Sequence, residues 1–215
     1  DSDRVCRFLF DSGANNMAIR ASLADSLGIK TTGSHGATIV GGSMTLSESR
    51  GNVVHLSDNF SLKNQQLVHF PEVRHGLDGL IGLNICKQYI TKVDFNKKEI
   101  QLYSFGDYKY ETDGQTIPIK VPSVVLLPIE IDLAGTGAVT GDFVFDTGAN
   151  FHVIAFTQFV AKNKFMEMAW EPRYYGTTVS MGHQTPTMVG TAENVTIAPG
   201  ISFNKLPITL QMPSP

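Results

Sequence analysis

The sequence predicts an all-β chain built as two like lobes with a few short helices, and three observations predict it. Gly (20) and Pro (10) are spread along all 215 residues instead of pooling in one linker, which punctuates the chain into many short elements. Short apolar or alternating runs recur between Gly, Asn, Asp, Ser and Pro. A twelve-residue block also occurs twice, and that repeat decides the architecture.

The strand candidates in order are 53–56, 66–70, 100–103, 116–121, 127–133, 194–197 and 206–210. Helical periodicity is sparse. Ile19, Leu23 and Leu27 recur at i, i+4 and i+8 with Gly28 as a stop, and Thr157 is placed to cap a short helix through Phe159 and Val160.

Composition narrows the function classes. Hydrophobic residues at 42% with 17% charged residues suffice for a buried core, and a formal charge of −3 offers no basic field for nucleic acid. No apolar run approaches the roughly 20 residues that span a bilayer, so no membrane-spanning helix is expected. Cys6 and Cys86 allow at most one disulfide, and Cys86 reads as a small packing hydrophobe. The six histidines show no His-x-x-x-His spacing, and no metal or other cofactor is expected.

The repeat pairs Phe8-Leu-Phe-Asp-Ser-Gly-Ala-Asn-Asn-Met-Ala-Ile19 with Phe143-Val-Phe-Asp-Thr-Gly-Ala-Asn-Phe-His-Val-Ile154, seven of twelve positions being identical at an offset of 135. At an offset of 140, Gly36–Gly42 aligns with Gly176–Gly182, and Leu67–Phe70 with Pro207–Leu210. An apolar strand ending in Asp-(Ser/Thr)-Gly-Ala sets a carboxylate at the edge of a hydrophobic sheet, and the Gly leaves room for a close neighbour. Pseudo-twofold packing of two such turns would bring Asp11 and Asp146 face to face. Two carboxylates in contact share one proton, so the pair can act as base and acid together on a bound water and an amide carbonyl.

These duplicated turns, each preceded by Phe-hydrophobic-Phe, resemble those of the retropepsin-like aspartic proteases. Thr38-Ile-Val-Gly-Gly42 is similar to the family's flap hairpin, Asp78-Gly-Leu-Ile-Gly-Leu-Asn84 to its hydrophobic-hydrophobic-Gly loop, and residues 91–103 to its closing hairpin. The resemblance implies two closed, barrel-like acid-protease lobes: 1–104 with its N-terminal strand missing, a linker over 105–122, and 123–215 with its C-terminal part missing. It implies Asp11 and Asp146 as the catalytic pair, Ser12 and Thr147 as hydroxyls bracing the loops, and Gly13 and Gly148 as substrate-side backbone. Flaps fall at 40–43 and 180–184, with Val40, Gly41, Gly42, Met181 and Gly182 against substrate.

The implied function is an aspartic endopeptidase that cleaves a peptide or protein substrate. A single chain carrying both halves is expected to act as a monomer, and a secreted, periplasmic or cell-envelope location is favoured. Departures from the family pattern are Asn15 and Asn150 after the Ala, and one glycine in the second flap where the first has two. The spacing also leads to the expectation that the sequence is a piece of a longer protein. Two rival readings are a catalytically inactive peptide-binding or scaffold protein of the same fold, and a β-rich carbohydrate-binding or adhesion module.

Overall fold

In the computed structural model, the described residues are 5–39, 42–71, 76–106, 108–135, 137–180 and 183–212. The first half runs β1 (Phe8–Phe10), β2 (Met17–Arg20), α1 (Ala21–Ser26), β3 (Gly33–Ile39), β4 (Gly42–Ser57), β5 (Phe60–Phe70), β6 (Gly79–Ile81), β7 (Ile90–Asp94) and β8 (Glu99–Tyr103). The second runs β9 (Leu126–Asp132), β10 (Ala138–Val144), β11 (Val153–Ala155), α2 (Thr157–Lys162), a 3-10 turn over Phe165–Glu167, β12 (Tyr174–Ser180), β13 (His183–Ala198) and β14 (Ile201–Gln211). The architecture is all-β, with two sheet-rich halves and a few short helices.

The first sheet has the order β1-β6-β2-β5-β4-β3, and the second β10-β9-β13-β14-β11 with β12 on β13. Both halves place a short strand parallel to the last long one: Met17–Arg20 lies against Leu67–Phe70, and Val153–Ala155 against Ile208–Leu210. Both then fold a long hairpin, β4–β5 or β13–β14, and both carry a further hairpin arm, β3–β4 or β12–β13. Among the described residues, only the first half inserts a strand between its Asp-bearing strand and the strand that follows the turn. There β6 runs parallel to β1 and antiparallel to β2.

The apolar faces sort into two principal cores. Met17, Ile19, Leu23, Leu62, Leu67 and Ile85 centre the first, with Cys6 and Cys86 packed half-buried against it. Ile131, Leu133, Val160, Phe165, Ile208 and Leu210 centre the second. In α1, Leu23 and Ala24 supply the buried face, and the helix stops at Gly28, whose φ of +67° suits glycine.

Several expectations need correction. Residues 116–121 form no strand and contribute a single bridge, Lys120 to Leu126, because Pro118 and Pro122 remove the amide donors a ladder needs. Ile19 lies in β2 and Leu27 just past α1, so the helix is shorter than its periodicity. Thr157 does not cap α2. It is the first helical residue, and its hydroxyl donates to the Met212 carbonyl at 3.2 Å instead.

The linker is more than a solvated spacer. Tyr108 packs on Tyr103 with ring centroids 4.6 Å apart and on Tyr110 at 5.0 Å, and Lys92 pairs with Glu111. The flap register also shifts. Ile39 pairs with Gly42 and Ser180 with His183, so the two hairpins correspond at an offset of 141, one more than the sequence alignment placed there. In the β2–β5 and β11–β14 pairings the first strands correspond at an offset of 135 and the second at 140, and the remaining difference falls within the irregular ladders of the long hairpins.

The insertion of β6 depends on glycine at two points where backbone meets backbone. A Cβ on Gly79 would lie 2.3 Å from the Ala18 carbonyl oxygen, and one on Gly82 would lie 2.4 Å from that of Asn16. Neither neighbour can swing aside as a side chain can. Gly82→Ala is expected to cost about 3 kcal/mol in a urea denaturation series, as overpacking does. Gly36→Ala, where nothing lies within 4 Å of the new methyl, is expected to change stability by about 0.5 kcal/mol or less.

Candidate active site

Each site carboxylate is set by the end of a strand. β1 ends at Phe10 and releases the chain into Asp11-Ser-Gly-Ala, and β10 ends at Val144, two residues before Asp146. The turns then fold alike. The Gly13 amide donates to Asp11 Oδ1 at 2.9 Å, and the Gly148 amide to Asp146 Oδ1 at 2.8 Å. The Ala14 and Ala149 amides reach back to the carbonyls of Asp11 and Asp146. Each carboxylate is thus oriented by its own turn.

Ser12 and Thr147 join the two turns across the halves. Ser12 Oγ donates to the Phe145 carbonyl at 2.6 Å and accepts from the Thr147 amide at 2.9 Å. Thr147 Oγ1 donates to the Phe10 carbonyl at 2.8 Å and accepts from the Ser12 amide at 3.1 Å. Each hydroxyl therefore donates once and accepts once, and four hydrogen bonds close a reciprocal set. Ser12 is only 4% exposed, so these bonds sit where water competes little.

The glycines allow the carboxylates to cross over. A Cβ on Gly13 would lie 2.5 Å from Asp146 Cγ, and one on Gly148 would lie 2.7 Å from Asp11 Cγ. Each carboxylate lies against the opposite turn's glycine, and any side chain there would displace it. The geometry brings Asp11, Ser12, Gly13, Asp146, Thr147 and Gly148 together in one site. Gly42 begins β4, whereas Val40, Gly41, Met181 and Gly182 lie outside the described residues.

The two aspartates are electrostatically unequal. Asp11 is half-buried, and Asp146 is exposed. Burial, then the neighbouring Asp146 charge, then the hydrogen bond between the two carboxyls push the Asp11 pKa from 3.8 up to about 6. Asp11 accordingly holds a proton in mildly acidic water. The single proton then bridges two oxygens that would otherwise repel.

Sequence reasoning did not anticipate the apolar hollow beside Asp146. A cavity of about 490 Å³ opens there, walled by Phe143, Phe145, Phe151, Phe156 and Phe203 among others. A signal was present in the repeat itself: Phe151 stands where the first copy has Asn16.

Two outcomes follow from this geometry. Ser12→Ala strands the Phe145 carbonyl and the Thr147 amide, and is expected to cost about 2–3 kcal/mol by chemical denaturation. Ser12→Thr, which restores the hydroxyl, should recover most of that loss. Asp11 also makes stability depend on pH. Between pH 3.8 and about 6 the folded chain keeps a proton that the unfolded chain has released, so its contribution is full below 3.8 and lost as pH rises through about 6. Thermal melting across that window should show this decline in the native sequence and a flatter profile in Asp11→Asn.

No curated protein matches the chain. Residues 2–85, which carry the first Asp-Ser-Gly turn and the β6 segment, match the model of an aspartyl protease family.

Proposed function

We propose that the protein is an aspartic endopeptidase whose catalytic pair is Asp11 and Asp146, one from each lobe. The lobes span 1–104 and 123–215 and are joined by 105–122, so one chain supplies both halves of a monomeric enzyme. The single observation that carries this reading is the reciprocal Ser12–Thr147 hydrogen-bond set, which holds two crossed carboxylates together with one of them protonated. The match of residues 2–85 to an aspartyl protease family supports the chemistry, and the like order of strands in the two halves supports the tandem arrangement.

In the proposed reaction a water lies between the carboxyls. Ionised Asp146 removes a proton from it as its oxygen attacks the scissile carbonyl carbon, while protonated Asp11 donates to the carbonyl oxygen. The product of this step is a neutral gem-diol, with the proton now on Asp146 and Asp11 ionised. Asp146 then gives its proton to the amide nitrogen, Asp11 recovers one from a diol hydroxyl, and the C–N bond breaks. A carboxylic acid and an amine leave, and the pair returns to its starting state. Gly13 and Gly148 present backbone on the substrate side, and the arms β3–β4 and β12–β13 fold over the bound peptide.

The alternative of a scaffold protein that binds peptides without cutting them differs in one readout, turnover. Purified protein is expected to cleave an unstructured protein substrate, and Asp11→Asn or Asp146→Asn should each lower kcat by roughly a thousandfold or more while circular dichroism stays native. Cleavage should be faster at about pH 5 than at about pH 8, because above about 6 Asp11 loses the proton that the carbonyl oxygen requires. Full activity in either Asn variant, or binding of substrate with no turnover in the native sequence, would overturn the peptidase reading.

A further inference from the structure

The two hairpin arms are fixed at their roots by different chemistry. In the first half, β4 changes partners at Ser47 and Glu48, which pair both with β3, opposite Ser34 and Gly33, and with β5, opposite His69 and Val68. From Gly42 to Leu46, β4 pairs with β3 alone. Glu48 is 2% exposed, and a carboxylate withdrawn that far from water needs partners. Three strands supply them. Arg50 Nε of β4 donates to Oε1 at 2.8 Å, Gln66 Nε2 of β5 donates to Oε2, and His35 Nδ1 of β3 lies 3.6 Å from Oε2. A Cβ on Gly33 would lie 3.3 Å from Oε1, so the β3 backbone rests against the carboxylate. The Arg50 hydrogen bond holds the carboxyl below its ordinary 4.5 against the opposing effect of burial, and Glu48 therefore stays ionised where Asp11 keeps its proton.

The second arm keeps the main chain of this joint and lacks its charge. The Arg173 amide donates to the Val189 carbonyl at 2.8 Å just as the Thr32 amide donates to the Glu48 carbonyl at 2.8 Å, and Val189 stands opposite Tyr174 where Glu48 stands opposite Gly33. That arm is held nearer its turn and by neutral groups. Gln211 Nε2 donates to Thr178 Oγ1 at 3.0 Å, and Thr178 Oγ1 donates to the Thr185 carbonyl at 3.3 Å.

We propose that Glu48 is a positioning residue whose buried carboxylate anchors the root of the β3–β4 arm and confines the arm's motion to the stretch beyond Gly33 and Glu48. The inference rests on the reading of the arms as covers for a bound peptide. Glu48 acts through the arm and not on the reacting atoms. An arm with a fixed root has less conformational freedom to lose when it closes, which favours substrate binding and leaves the chemical step alone. The charge makes the anchor stiff, because charge-assisted hydrogen bonds out of reach of water are the strong ones.

The test is amide hydrogen exchange on the free protein, native and Glu48→Gln, followed by kinetics on casein. Glu48→Gln is expected to speed exchange of the β3 and Gly42–Leu46 amides roughly tenfold or more while the β12–β13 amides stay as they are. Arg50→Gln removes one partner from a side chain that is 70% exposed, and it should give the same pattern more weakly. That variant keeps the test decisive if circular dichroism shows Glu48→Gln protein to be misfolded. With casein, the folded variants should raise KM roughly fivefold and change kcat less than about twofold. Unchanged exchange in the arm overturns the proposal, as does equal acceleration in β12–β13, which a general loss of stability would produce. A fall in kcat at unchanged KM overturns it too. Exchange is read without substrate, so a native protein that cuts nothing sinks the peptidase reading alone and leaves the anchor to be decided by the exchange pattern.

Discussion

Everything at the candidate site depends on two hydroxyl groups that each bond to the other half. The Ser12 and Thr147 side chains satisfy the amide and the preceding carbonyl of the opposite turn, so neither half can move its Asp-bearing loop alone. The carboxylates are pressed together as a consequence, each against the opposite glycine. That proximity would repel if both were ionised. A proton held at the pair relieves it, and burial is the largest cause of the raised Asp11 pKa.

Symmetry of backbone does not produce symmetry of environment. The first turn is backed by β6, which pairs with Phe10 and whose Ile81 carbonyl accepts a hydrogen bond from the Asp11 amide, whereas the second opens onto an apolar hollow. Asp146 is therefore the exposed member. Two near-identical motifs thus place their carboxylates in different surroundings, with no difference in the carboxylic groups themselves.

The repeat was legible in the sequence because the tight crossing tolerates little variation. Gly13 and Gly148 admit no side chain, and Ser12 and Thr147 must each carry a hydroxyl. The strands were legible from alternating or continuous apolar runs: burial alternates over 53–56, 67–69 and 208–210 are buried without a break, and at 116–121 alternation was present but prolines removed the donors. The flap offset was not legible, because the irregular ladders of β4–β5 and β13–β14 leave no mark in composition. Nor was the apolar hollow, whose wall is assembled from residues of β9, β10, β11, α2, β13 and β14 that lie far apart in sequence. The raised pKa of Asp11 belongs to the same class, arising from long-range packing that spacing does not encode.

The tyrosine stack on the connector changes how the two halves find one another. Tyr103, Tyr108 and Tyr110 pack in succession and Lys92 holds Glu111, so the connecting segment leaves the first half along a defined path. A tether pinned at its origin samples less space than a free coil of equal length, which raises the effective concentration of one half at the other. On the monomeric reading proposed above, assembly of the paired turns is unimolecular and indifferent to dilution. A site built from two separate chains would instead empty as the protein becomes scarce.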